Sequence, residues 1–223
     1  MALSFRRVVD SGPAVDYIAG ALRSHLEKGE KVLWLLPGGS AIAAAAEVGQ
    51  RLSGLDLSNL AVSLTDERYG EVGHADSNWR QLQEAGLDLP GARLFPVLTG
   101  LDGQATVARW QAELEELLTS CDYKLGFFGI GPDGHTAGVL PGSPAMTTPG
   151  LVALYDGGAF QRITTTPAAI SRLDEAVVLA MGEAKREALE GLKTEKPINK
   201  QPAQVLKRLN SCIIFNDVIG EEL

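Results

Sequence analysis

Two periods alternate along the chain. Short, nearly continuous apolar runs rich in Val, Leu, Ile and Phe occupy residues 31–36 (KVLWLL), 60–64, 125–130, 151–154, 176–181 and 212–215. Such runs predict strands covered on both faces, the pattern of a parallel sheet. Between them the apolar residues fall at helical spacing over 13–27, 41–52 and 103–118. In the last of these, Val107, Trp110, Leu114, Leu117 and Leu118 share one face. Alternation of strand and helix predicts an α/β fold, a mostly parallel Rossmann-like sheet flanked by helices, over a single domain spanning 1–223. No internal repeat, low-complexity tract or linker interrupts it. Residues 194–202 (TEKPINKQP) are polar with two prolines and predict a surface loop.

Composition narrows the classes of function. Of the 223 residues 45% are hydrophobic, enough for a sizeable core. No run approaches the roughly 20 apolar residues of a membrane helix. The first residues turn polar at Ser4, Arg6 and Arg7, unlike a secretory leader. Together these predict a soluble cytoplasmic protein without a membrane partner. Cys121 and Cys212 lie far apart without metal-ligand spacing and are expected to be reduced, buried thiols. A net charge of −8 disfavours nucleic acid. It also repels anionic metabolites at long range, so a site for one must gather positive charge locally.

In open α/β sheets, ligands bind beyond the carboxyl ends of the strands. Four stretches there carry unusual residues. After the 31–36 run come Pro37-Gly38-Gly39-Ser40. The glycines let backbone approach a ligand, Ser40 is placed to cap the next helix, and the free N–H groups of a first helical turn suit a phosphate. After 60–64 come Thr65-Asp66-Glu67-Arg68-Tyr69. These charges fit either a solvated turn or a site in which Asp66 orients a hydroxyl and Arg68 holds an anion by its planar fork. Asp76-Ser77-Asn78 begins a helix and reads as capping residues. After 125–130, Asp133 and His135 lie among glycines (Gly129-Ile130-Gly131-Pro132-Asp133-Gly134-His135). A histidine there can exchange protons near neutral pH. The other two histidines, His25 and His74, read as solvated residues. Arg162-Ile163-Thr164 and the run Gly182-Glu183-Ala184-Lys185 complete the set. Lys185 falls at a helix start, where a cation is out of place unless an anion balances it.

These stretches, in this order, resemble the 6-phosphogluconolactonase family, which shares its fold with glucosamine-6-phosphate deaminases and more distantly with ribose-5-phosphate isomerases. Gly129 to Ala137 (GIGPDGHTA) and Asp66-Glu67-Arg68 ahead of Asp76-Ser77-Asn78 carry most of the resemblance. It implies a ribose-5-phosphate isomerase/CoA-transferase-like sheet and hydrolysis of 6-phosphoglucono-δ-lactone in the oxidative pentose phosphate pathway. His135 is implied as general base, with Asp133 and Asp66 as its catalytic partners. Gly38, Gly39, Ser40, Arg68, Arg162 and Lys185 are implied as substrate-binding residues. No cofactor and no metal is implied, the partner is a phosphorylated sugar lactone, and the assembly is a monomer or small homo-oligomer. The chain departs from the family's usual Gly-Gly-Ser-Thr-Pro, because Ala41-Ile42 follow Ser40, so the loop lacks one hydroxyl donor.

Two rivals share this fold. A glucosamine-6-phosphate deaminase resembles Gly-His-Ile-Ala-Phe-Asn-Glu, and Leu140 stands where that glutamate would be. A non-catalytic sugar-phosphate sensor would usually bring a DNA-binding helix-turn-helix, for which this acidic chain has no room.

Overall fold

A computed structural model describes residues 3–222, with side chains as far as residue 220. The chain runs β1 (Ser4–Arg7), α1 (Gly12–Glu27), β2 (Val32–Leu36), α2 (Ile42–Arg51), β3 (Leu60–Leu64), β4 (Asp66–Arg68), α3 (Asn78–Glu84) and β5 (Arg93–Leu94). It continues through α4 (Gly103–Ser120), β6 (Tyr123–Phe128), β7 (Val152–Asp156), β8 (Gln161–Thr165), α5 (Pro167–Ile170), β9 (Glu175–Ala180), α6 (Arg186–Gly191), β10 (Ser211–Asn216) and β11 (Glu221–Glu222).

Eight strands form one sheet in the order β11-β1-β10-β9-β6-β2-β3-β5. Every pairing in it is parallel. Strands β2, β3 and β9 are buried along their whole length, as their unbroken apolar sequences require. Helices α1 and α2 pack on each other, and α1 also meets β2 and β9. Their inner faces, including Ile18, Leu22, Ala45 and Val48, join Trp34, Trp110 and Phe127 in the main core. Cys121 and Cys212 are buried free thiols, and burial pushes Cys212 up to about 12.

The order of strands locates the cleft. After β2 the chain adds β3 and β5 on one side, then returns to add β6, β9 and β10 on the other. The connections leaving β2 and β6 therefore diverge, and a crevice opens between them at the carboxyl end of the sheet. A separate three-stranded antiparallel sheet, β4-β8-β7, forms its wall. That sheet is fastened to the end of β3, since the Thr165 amide and hydroxyl both donate to the Thr65 carbonyl, at 2.9 and 2.8 Å.

The expected helices and strands are present, with ends shifted by one or two residues at most places. Two of the readings change. Residues 151–154 belong to the antiparallel sheet and not to the parallel one, because a four-residue apolar run carries no information on strand direction. Residues 66–68 form a strand, with Glu67 fully buried, and not a solvated turn. The edge strands β5 and β11, and β1 beside β11, have no apolar run to betray them. Of the surface loop expected over 194–202, residues 194–200 are largely exposed, whereas Gln201 and Pro202 are buried and Pro202 opens a 3-10 turn.

Candidate active site

A cleft of about 340 Å³ occupies the switch point. Gly38, Gly39, Ser40, Asp66, Arg68, His135, Arg162 and Lys185 all line it. Thr65, Asn78, Gly129, Ala137 and Gly138 line it too. Asp133 does not line it and stands behind His135.

The loop after β2 supplies exposed backbone. Gly38 is extended and Gly39 has φ +66°, leading into a tight turn over Gly39–Ala41. A side chain at 38 would collide with the Asn78 amide, so glycine is required there. Ser40 does not cap α2: it lies inside that turn, and the cap position falls to Ala41. The Ser40 hydroxyl is 3.5 Å from the Lys185 ammonium. Lys185 closes the short turn Glu183–Lys185 ahead of α6. Burial lowers its pKa, partly offset by Asp217, so it is a cation short of solvent and of close carboxylates.

Asp66 and Glu67 are neighbours with different surroundings. Glu67 accepts from the backbone amides of Arg68 (2.7 Å), Asn78 (2.6 Å) and Trp79 (3.0 Å) and from the Ser77 hydroxyl (2.9 Å). It fastens the start of α3, and Ser77 caps that helix toward Arg80. Asp66 has only the Thr65 hydroxyl at 3.0 Å, with Arg162 at 3.9 Å. Burial pushes its pKa up, opposed by Thr65, Arg162, Arg68 and His135. Arg68 donates to the Asp76 carbonyl at 2.8 Å and lies over the Phe160 ring. The Nε atoms of Arg68 and Arg162 are buried with no hydrogen-bond partner among the described residues.

The loop after β6 holds His135. Its Nδ1 lies 2.6 Å from Asp133 Oδ1, which also accepts the His135 backbone amide at 3.1 Å. Burial pushes Asp133 up, but these two contacts outweigh it and hold the carboxyl below its usual range. A carboxylate on Nδ1 fixes the tautomer with Nε2 unprotonated. The imidazole lies against Gly131, where any Cβ would come within 2.2 Å of the ring. No helix follows, so His135 caps nothing.

The other histidines differ from expectation. His25 is half-buried, stacked on Tyr123 at 3.7 Å with its Nδ1 on Glu30. His74 is half-buried, 2.9 Å from the Arg68 carbonyl. Sequence reasoning underrated Asn78, whose side chain bonds the Asp66 carbonyl at 2.9 Å from within the cleft. Its one signal was its place after Asp76-Ser77. Among the described residues no group of three or more His, Cys, Asp and Glu is placed to hold a metal ion.

The family profile described as glucosamine-6-phosphate isomerases/6-phosphogluconolactonase matches residues 11–214. The chain belongs to this family. A Synechocystis 6-phosphogluconolactonase is 32% identical over 172 residues, covering 71% of each chain. A Neisseria meningitidis 6-phosphogluconolactonase is 29% identical over 218 residues, covering 82% of this chain and 85% of that one. Among solved structures, a Shewanella baltica 6-phosphogluconolactonase superposes with TM-score 0.81 at 21% identity, over 96% of this chain and 97% of the other. A monomeric glucosamine-6-phosphate deaminase superposes with TM-score 0.77 at 17% identity, over 97% of both chains. The fold is therefore common to both activities, and the site must choose between them.

Proposed function

We propose that this chain hydrolyses 6-phosphoglucono-δ-lactone to 6-phosphogluconate with His135 as general base and no metal. The observation that carries the reading is the Asp133–His135 pair at 2.6 Å beside a cleft that also gathers Arg68, Arg162 and Lys185. An acidic chain places three cations around this one cleft, as an anionic substrate demands. The lactonase names of the relatives agree with it. Leu140, in the position of the deaminase glutamate, packs in a small apolar cluster with Val139, Ala145, Ala153 and Tyr155. It offers no proton to a ring-opening histidine.

In this reading Nε2 of His135 takes a proton from water as the oxygen attacks C1 of the lactone. The tetrahedral intermediate collapses, the bond from C1 to the ring oxygen breaks, and the imidazolium returns the proton to that oxygen. Asp133 keeps the ring oriented and stabilises its charged form. Asp66 positions substrate hydroxyls. The loop at 38–40, with Arg68, Arg162 and Lys185, holds the phosphate.

The test is lactone opening followed with and without protein, in the presence of a chelator. The protein is expected to accelerate the reaction well above the spontaneous rate at the same pH. Equal rates would reject the proposal.

A further inference from the structure

Ala137 is the one non-glycine residue with positive φ among the described residues, at +51°, and Gly138 follows at +67°. Left-handed backbone at an alanine persists only where the surroundings hold it, and such positions gather at functional sites. Here the hold is visible. The Val139 amide donates to the Thr136 carbonyl at 2.8 Å, closing a type I′ turn with Ala137 and Gly138 at its centre. The Thr164 hydroxyl on β8 donates to the Ala137 carbonyl. The Tyr155 hydroxyl on β7 donates to the Gly138 carbonyl at 2.5 Å. Both residues are buried in the wall of the cleft.

Neither the Ala137 nor the Gly138 amide has a protein acceptor among the described residues. Buried amides are almost always paired, so two in succession, both in residues that line the cleft, require an explanation. Within one peptide unit the carbonyl and the N–H point in opposite directions. The Ala137 carbonyl is held toward β8, so the Gly138 N–H points away from the small sheet. The Thr136 carbonyl is turned back to Val139, which leaves the Ala137 N–H on its opposite side. Glycine at 138 is also required by space, because a Cβ there would lie 2.6 Å from Asp66 Oδ2.

We infer that the N–H groups of Ala137 and Gly138 form the oxyanion hole of the lactonase, an inference that rests on the hydrolytic reading above. As water adds to C1 and its proton passes to His135, the carbonyl electron pair moves onto the carbonyl oxygen, which accepts from these two amides. When that pair returns, the bond from C1 to the ring oxygen breaks and the imidazolium protonates the leaving oxygen. Fixed donors aimed at developing charge cost no reorganisation at the moment of reaction. Thr164 and Tyr155 are then positioning residues, acting through the carbonyls they grip.

Two measurements test this. In the first, the amide protons of Ala137 and Gly138 are followed by NMR while the wild-type protein is titrated with 6-phosphogluconate, which has a carboxylate at C1. Glucitol 6-phosphate, which has a neutral hydroxymethyl group there, is the control. The inference expects downfield shifts of both amides with the first ligand and not with the second. In the second, Thr164→Val and Tyr155→Phe should each lower kcat by about tenfold or more while KM stays within about twofold, and Thr164→Ser should restore kcat. A purely structural role would move melting temperature without that split. Active wild-type protein with no selective amide shift would overturn the oxyanion hole and leave the lactonase reading standing. Inactive wild-type protein whose amides still shift selectively would sink the lactonase and keep an anion-binding turn. If a variant fails to fold, the titration of the wild-type protein decides.

Discussion

Two histidine–carboxylate pairs sit at opposite ends of the same sheet. His25 meets Glu30 ahead of β2, and His135 meets Asp133 after β6. Taken as pairs they are nearly interchangeable. Their surroundings are not. The His25 ring is covered by Tyr123, and the nearby Glu175 carboxylate is tied up by the hydroxyls of Tyr17, Tyr123 and Ser211 at 2.7, 2.5 and 2.7 Å. The His135 ring rests on a glycine, borders a cleft, and shares it with three cations. A base needs more than an oriented imidazole: it needs space for a substrate and charge to hold it.

Breaking each pair at its carboxylate sharpens this contrast. Asp133→Asn is expected to lower kcat by about a hundredfold, because an amide no longer enforces the tautomer or stabilises the imidazolium. Glu30→Gln should leave kcat within about twofold and act only on melting temperature. Steady-state kinetics on both variants decides, and equal losses would show that neither carboxylate serves the reaction specifically.

The cations provide the next test. Arg68→Ala and Lys185→Ala each remove a charge-assisted contact worth about 1.5–3 kcal/mol. Each should therefore reduce kcat/KM for the phosphorylated lactone by roughly tenfold or more. Hydrolysis of the unphosphorylated lactone should change little. If both substrates lose equally, the residues do not read the phosphate.

The smallest effect is on stability. Burial raises the Asp66 pKa, so the folded protein holds that proton more tightly than the unfolded chain. The resulting stabilisation is complete below the ordinary carboxylate range and is lost as pH rises through the raised folded value. Asp66→Asn removes this dependence. Its melting temperature, relative to wild type, should rise between about pH 4 and about pH 7. A constant difference across that window would mean that Asp66 titrates normally.

Much of this contrast was legible in the chain. The strands β2, β3, β6, β9 and β10 announce themselves as apolar runs, and with them the position of the loops that follow. Histidine and aspartate among glycines marked the right loop, and two of those glycines answer a local demand: Gly131 beneath the imidazole, and Gly134 with its positive φ. What stayed hidden depends on pairing between distant segments. The small sheet brings β8 against β4, so Arg162 comes within 3.9 Å of Asp66 across nearly a hundred residues of chain. No local pattern encodes that distance. Ser40 satisfied every local criterion for a cap and was drawn instead into a turn facing Lys185. His25, on α1, looked solvated because its stacking partner, Tyr123, lies far along the chain on β6.

The central claim is that His135 performs the proton transfer while its neighbours bind. Turnover of the phosphorylated lactone and affinity for 6-phosphogluconate, measured on one His135→Ala preparation of normal melting temperature, test it most directly. A positioned general base contributes about a hundred- to ten-thousandfold in rate. Turnover is therefore expected to fall by that range while product affinity stays within about threefold of wild type, since the contacts assigned to Ser40, Arg68 and Lys185 do not involve the imidazole. Near-normal turnover in the folded variant would contradict the account and pass the role of base to Asp66 or Asp133.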